Sequence, residues 1–223
     1  MALELLEGIA GPEGAEPVAS IIVLHGLGAD GNDFVPIAQE LDLSAVGAVR
    51  FVFPHAPVRP VTINGGYRMR AWYDILGSEI ARVEDEAGLR ASMLEVQALL
   101  DREAARGIAP ERTVLMGFSQ GCAMTLLAGL RAPRRLAGLV GLSGYLPLAA
   151  STAGERSGAN AATPIFMAHG SFDGVIPIAR AVASRDELVA LGHPVEWHEY
   201  PMEHSVSVEE IGDLNAFLLR VLA

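Results

Sequence analysis

Thr113-Val-Leu-Met-Gly117-Phe-Ser119-Gln-Gly121-Cys-Ala-Met-Thr-Leu-Leu-Ala-Gly-Leu130 decides how this 223-residue chain is to be read. Thr113 to Phe118 is a short apolar run of the kind that forms a buried strand. From Gln120 onward, small and apolar residues predict a helix packed on a sheet. Ser119 falls at the corner between them. Gly117 and Gly121 complete a G-x-S-x-G pattern, in which missing Cβ atoms let a strand turn abruptly into a helix. Such a corner lifts the serine hydroxyl clear of the backbone and sets it at a helix N-terminus, where free N–H groups receive an anion.

Composition narrows the possibilities around this corner. Hydrophobic residues make up 51% and charged residues 19%, enough apolar material for one large core, and no Pro/Gly/Ser-rich linker divides the chain. We therefore expect one α/β domain over residues 1–223. The formal net charge is −11 and all 16 basic residues are arginine, which argues against a nucleic-acid surface or an anionic-membrane patch. The single Cys122 excludes an internal disulfide and a thiolate zinc site, and it fits a reducing cytoplasm. The first residues, Met1-Ala-Leu-Glu-Leu-Leu-Glu7, lack the positive flank and apolar stretch of a signal peptide. Two uncharged stretches, 113–130 and 136–154, are long enough to raise a transmembrane helix, but their interspersed glycines, with Pro147 in the second, read better as buried strands with their neighbours.

Taken in order, residues 2–7 predict an edge strand and 8–17 a turn-rich connection. Val18 to His25 is a β-branched strand ending in the glycine-rich loop His25-Gly-Leu-Gly28-Ala-Asp-Gly31, followed by a helix over 32–41. That loop is neither G-x-G-x-x-G nor a Walker loop, and the chain has no lysine. A strand over 48–54 precedes Pro54 to Pro60, whose three prolines predict irregular chain. Asn64-Gly65 predicts a small hairpin within 60–75. Trp72 and Tyr73 follow, in an excursion suited to walling a substrate site. The longest helix spans 84–106, and residues 144–162 read as a loop of small residues. Further strands are expected at 137–143, 165–169 and 195–200, and further helices at 178–191 and 207–222. Alternating strands and helices imply a mostly parallel sheet, whose sites form at the carboxyl ends of its strands.

That rule selects partners for Ser119. A serine hydroxyl needs a general base, and the base needs a carboxylate to fix its tautomer. His193 precedes the last strand and His198 lies within it, whereas His204 follows it, at the carboxyl edge. Asp173 lies just past the strand at 165–169, between Gly170 and Gly174. Asp186 and Asp213 fall inside predicted helices. Ser143, in Gly141-Leu-Ser143-Gly144-Tyr145, ends a strand but lacks the fifth glycine and a following helix, so we expect it to line or support the site. Two N–H donors are needed for the oxyanion. The backbone of Gln120 is one and that of Leu27, in the earlier loop, is the other.

With these residues placed, the chain resembles the phospholipase/carboxylesterase family of α/β-hydrolases, which includes the acyl-protein thioesterases. The stretches that carry the likeness are 24–31, 53–66, 69–74 (Met-Arg-Ala-Trp-Tyr-Asp), 117–121, 143–147, 169–177 (His-Gly-Ser-Phe-Asp-Gly-Val-Ile-Pro) and 200–206 (Tyr-Pro-Met-Glu-His-Ser-Val). The resemblance implies an α/β-hydrolase fold, a triad of Ser119, Asp173 and His204, oxyanion donors at Leu27 and Gln120, and hydrolysis of esters or thioesters without a cofactor or metal. Short- to medium-chain acyl esters are the expected substrates, carried by a small molecule, a lysophospholipid or a protein, with Trp72 and Leu27 in the acyl pocket. A monomer or weak homodimer is expected. Two positions depart from the family pattern: Cys122 and Glu203 stand where glycines are usual, and a carboxylate beside His204 is expected to favour the protonated imidazole. The rival readings are a dienelactone-hydrolase-like enzyme, which would place cysteine at the corner, and a non-catalytic hydrolase-fold binding protein, which would break the triad.

Overall fold

The computed structural model describes residues 3–77 and 83–223. Seven strands form one sheet in the order β1-β3-β2-β6-β7-β8-β9. Here β1 is Leu5–Ala10, β2 Ala19–Leu24, β3 Val49–Pro54, β6 Thr113–Phe118, β7 Gly138–Leu142, β8 Ile165–Gly170 and β9 Val195–Tyr200. Only β1 runs antiparallel to its neighbour. The helices are α1 (Val35–Glu40), α2 (Glu86–Ala105), α3 (Gln120–Arg131), α4 (Ala149–Glu155), α5 (Ile178–Ala190) and α6 (Val208–Leu222).

The inner strands β2, β3, β6, β7 and β8 are covered on both faces, which is why they read as nearly continuous apolar runs, whereas the edge strands β1 and β9 expose Glu7 and Glu199. Successive residues of β2 serve opposite layers. Ile22 and Leu24 join a core with Leu89, Val96 and Leu126, whereas Ile21 and Val23 join one with Phe51, Phe166 and Phe217. The uncharged stretch 113–130 is the pair β6 and α3. No described helix is long and apolar enough to cross a membrane.

The small hairpin expected within 60–75 is present, and two other expectations need correction. Residues 54–60 are not all irregular: Pro54 closes β3, and Pro60 lies in β4 (Val58–Val61), which pairs with β5 (Tyr67–Arg70) as a separate two-stranded ribbon. A ribbon tolerates proline because its strand has an outer edge that needs no N–H. Their connection is a 3₁₀ turn at Thr62–Asn64 with Gly65 left-handed, wider than a two-residue Asn-Gly turn. Residues 149–155, expected as loop, form α4, in which only Thr152 is buried.

The loop between β9 and α6 carries His204, and α6 begins with a reciprocal cap that fixes its exit. The Ser207 hydroxyl accepts from the Glu210 N–H at 3.1 Å, and the Glu210 carboxyl accepts from the Ser207 N–H at 3.3 Å. Glu210 is fully buried, and burial pushes its carboxyl up to about 8. Between the ordinary glutamate range and about pH 8 the unfolded chain is ionised there while the folded chain holds its proton, so this group costs stability as pH rises. Glu210→Gln keeps the cap and removes that cost. Urea unfolding is expected to show the variant more stable than wild type at pH 9, by on the order of 3 kcal/mol, with the difference nearly gone at pH 4.5.

Candidate active site

Ser119 joins β6 to α3 with φ 56 and ψ −116, a conformation that costs a non-glycine residue energy and is held by its surroundings. Its N–H donates to Leu142 O at 2.9 Å and its carbonyl accepts from Ala123 at 3.2 Å. A Cβ on Gly117 would overlap the Gly121 backbone, and one on Gly121 would overlap the Leu24 carbonyl. The two glycines therefore let β6 and α3 fold back on each other and let α3 lie against the end of β2.

The imidazole of His204 bridges the other two members. A carboxylate only accepts, so Nδ1–H donates to Asp173 Oδ2, at 2.6 Å, and Nε2 is left to accept from Ser119 Oγ, at 2.9 Å. The ring packs on Phe118 with centroids 4.8 Å apart. Gly170, at the end of β8, carries no side chain because the Met202 and Glu203 carbonyls lie where its Cβ would be, which seats the His204 loop directly on that strand. Asp173 Oδ1 accepts from the N–H groups of Val175 and Ile176, both at 2.8 Å. His169 braces the same turn: its Nε2–H donates to Ile176 O at 2.8 Å and lies 3.3 Å from Asp173 Oδ2. Burial lowers the His169 pKa, so the ring performs this bracing as a neutral donor. The pairing of His169 with Asp173 was not read from the sequence, although a histidine four residues before the aspartate is a signal that would have found it.

The loop after β2 packs against the serine, since a Cβ on Gly26 would sit 3.3 Å from Ser119 Cβ. Leu27, Ser119 and Gln120 line one cleft. Gln120 is the first residue of α3, where backbone N–H groups have no partner within the helix, and the Leu27 N–H donates to no described acceptor. Two backbone N–H groups of residues lining the same cleft as Ser119 are thus left without a described acceptor. The arrangement can deprotonate a hydroxyl, direct it at a carbonyl and receive the resulting oxyanion.

Trp72 lies elsewhere than expected. It is fully buried and absent from the cleft wall; its Nε1–H donates to His25 O, and its backbone N–H to Gln120 Oε1, both at 2.9 Å. Gln120 Nε2 donates in turn to Tyr73 O at 2.8 Å. His25 is braced as well, with Nδ1 donating to Gly26 O at 2.7 Å and Nε2 accepting from Ala56 N–H at 3.0 Å. Trp72 therefore ties the Leu27 loop to the Gln120 side chain instead of touching an acyl chain. The wall is built by Ile63, Tyr73, Ile75, Tyr145, Val175 and Ile176 around about 320 Å³.

The remaining candidates separate cleanly. Ser143 has φ 47, but its hydroxyl is buried without a partner among the described residues and does not line the cleft. Cys122 is buried against Gly141 and Gly144, where added Cβ atoms would strike it, and burial pushes its thiol up to about 12. It fills core and does not narrow the cleft. Glu203 is exposed and makes no ion pair with His204. His198 stacks on Phe166 within β9, Asp213 accepts from the Tyr200 hydroxyl, and His193 is buried before β9.

A nucleophile elbow at the carboxyl edge of a mostly parallel sheet, with a histidine and an aspartate delivered by later strands, defines an α/β-hydrolase. Comparison with known proteins sharpens this. The phospholipase/carboxylesterase family model matches residues 9–222. Acyl-protein thioesterase 1 of Gibberella zeae is 39% identical over 95% of this chain and 94% of its own length, and that of Yarrowia lipolytica 38% identical over 91% and 92%. Among solved structures, SOBER1 of Arabidopsis thaliana superposes with a TM-score of 0.87 at 32% identity, covering 92% of this chain and 99% of its own. The chain belongs to the phospholipase/carboxylesterase family and is a hydrolase of carboxylic esters.

Trp72→Phe should keep an aromatic ring in the core but, by losing the indole N–H and part of the ring volume, free the His25 carbonyl and loosen the loop that holds Leu27. Steady-state hydrolysis of 4-nitrophenyl butyrate is expected to show kcat lowered about tenfold with KM within about twofold, a fraction of the loss from deleting an oxyanion donor outright.

Proposed function

We propose that the protein hydrolyses short- to medium-chain acyl esters and thioesters through an acyl-enzyme on Ser119, with His204 as general base and acid and Asp173 as its orienting carboxylate. The observation that carries this reading is the continuous hydrogen-bond line from Ser119 Oγ through both ring nitrogens of His204 to Asp173. Ser119 Oγ attacks the carbonyl carbon as its proton passes to His204 Nε2, and the N–H groups of Leu27 and Gln120 receive the oxyanion. Collapse breaks the bond to the alcohol or thiol, which leaves with that proton. Water then repeats the sequence, releasing the acid and restoring the serine.

The cleft volume falls at the lower end of small-molecule sites, in keeping with a modest acyl chain. Ile63, Val83 and Val175 line it yet stand exposed at its rim, an entrance suited to an apolar chain. The relatives named acyl-protein thioesterase support acylated protein among the substrates, beside lysophospholipids and small esters. We further propose a cytoplasmic protein, in keeping with its one free cysteine, that is one domain and a monomer or weak homodimer. Serine at the elbow and an unbroken triad weigh against the dienelactone-hydrolase-like and non-catalytic alternatives.

Ser119→Ala is expected to lower kcat by roughly 10⁴-fold or more and to abolish labelling by a fluorophosphonate probe, with an unchanged urea unfolding curve. Substantial 4-nitrophenyl butyrate hydrolysis by that folded variant would remove Ser119 from the mechanism.

A further inference from the structure

Charge inside the cleft is unevenly committed. Asp74, Glu84, Asp85 and Arg180 line it together with Ser119. The three acids are engaged with the protein's own backbone. Asp74 accepts from the Thr62 N–H at 2.7 Å and from its hydroxyl. Asp85 accepts from the N–H groups of Gly88 and Asp74, both at 2.9 Å. Both oxygens of Glu84 lie 3.2 Å from the Leu148 N–H.

Arg180 is held differently. It lies in the first turn of α5, half-buried, with its guanidinium carbon 3.2 Å from the centroid of the Tyr145 ring. At that separation the guanidinium plane must lie parallel to the ring. Tyr145 is itself fixed, because its hydroxyl and that of Tyr73 share a hydrogen bond of 2.8 Å. Stacking occupies the face of the guanidinium and leaves its in-plane N–H groups, the fork that matches a carboxylate, directed away from the ring face. Among the described residues no carboxylate oxygen comes within 4.0 Å of it, whereas Arg50, Arg90, Arg102 and Arg131 each reach one. Glu84 shares the wall with Arg180, and Glu187 lines an adjoining depression that Arg180 also lines.

We propose that Arg180 is an anion subsite of the cleft, receiving a carboxylate that the substrate carries away from its scissile bond. This rests on the reading of Ser119 as nucleophile. It narrows the substrate class to acyl esters or thioesters bearing a free carboxyl group on either the acyl or the leaving side.

Two matched pairs test it. 4-Nitrophenyl hydrogen adipate against 4-nitrophenyl hexanoate places the carboxylate on the acyl side, and S-butyryl-N-acetylcysteine against its methyl ester places it on the leaving side. In Arg180→Gln the anionic-to-neutral ratio of kcat/KM is expected to fall about tenfold in one of the pairs, chiefly through KM, with the neutral members within about twofold of wild type. Arg180→Lys should recover part of the ratio, since it keeps the charge and loses the fork. Unmoved ratios in both pairs, with neutral esters still hydrolysed, overturn the anion subsite alone. Equal losses for anionic and neutral members also overturn it, leaving Arg180 as a support for Tyr145. Inactivity of wild type toward all four esters overturns the Ser119 reading and the subsite with it.

Discussion

The site depends on how closely α3 approaches the ends of β2 and β6. Gly121 meets the Leu24 carbonyl and Gly117 meets Gly121, so neither position has room for a Cβ. This contact forces Ser119 into a left-handed conformation, φ 56, that a serine adopts only when its neighbours over-determine it. Hydrogen bonds from Ser119 to Leu142 and from Ala123 to Ser119 supply that constraint, linking the corner to β7 on one side and to its own helix on the other. Cys122 shows how far the constraint spreads. Its side chain fills the space that Gly141 and Gly144 leave, so a larger residue at either glycine would push on the first turn of α3.

Two buried histidines, neither part of the triad, do similar work on opposite sides of the serine. His25 bonds the backbone of Gly26 and Ala56, bracing the loop that presents Leu27, and His169 bonds Ile176, bracing the turn that presents Asp173. Burial lowers the pKa of both. A neutral imidazole offers one donor and one acceptor in fixed directions, so these braces keep their pattern where an exposed histidine would gain a proton. The proposed catalytic geometry is thus braced by two imidazoles that burial biases toward the neutral form, around the one histidine that the proposed mechanism protonates and deprotonates in each cycle.

The inner strands β2, β3, β6, β7 and β8 were legible because each is largely apolar and buried on both faces, and the carboxyl ends of the parallel strands followed from the order of elements. Ser119, Asp173 and His204 could therefore be chosen as residues standing at one edge of the sheet. The errors lie where local pattern carries no information. Ala149 to Glu155 buries only Thr152, so α4 has no apolar stripe to announce it. Pro60 looked incompatible with a strand, since nothing nearby shows that β4 belongs to a ribbon outside the main sheet. Trp72 was placed in the cleft because exposed and buried tryptophans look alike in a sequence. Its depth is decided by a carbonyl 47 positions away, and the cleft wall is likewise assembled from segments that meet only in the folded chain.

The net charge of −11 bears on what enters that wall. A field of this sign slows the approach of anions at low ionic strength, but at physiological salt it is screened beyond about 8 Å. Within that distance the local arrangement decides. The acids of the cleft are turned toward backbone N–H groups of Thr62, Asp74, Gly88 and Leu148, which disperses their charge into the protein, whereas the Arg180 fork stands over Tyr145. An anionic substrate therefore gains nothing from long-range attraction and gains contact energy only once seated. Its preference over a neutral analogue should lie in how long it stays, with little contribution from how fast it arrives. A chain this acidic can in this way select a carboxylate without becoming a general binder of anions.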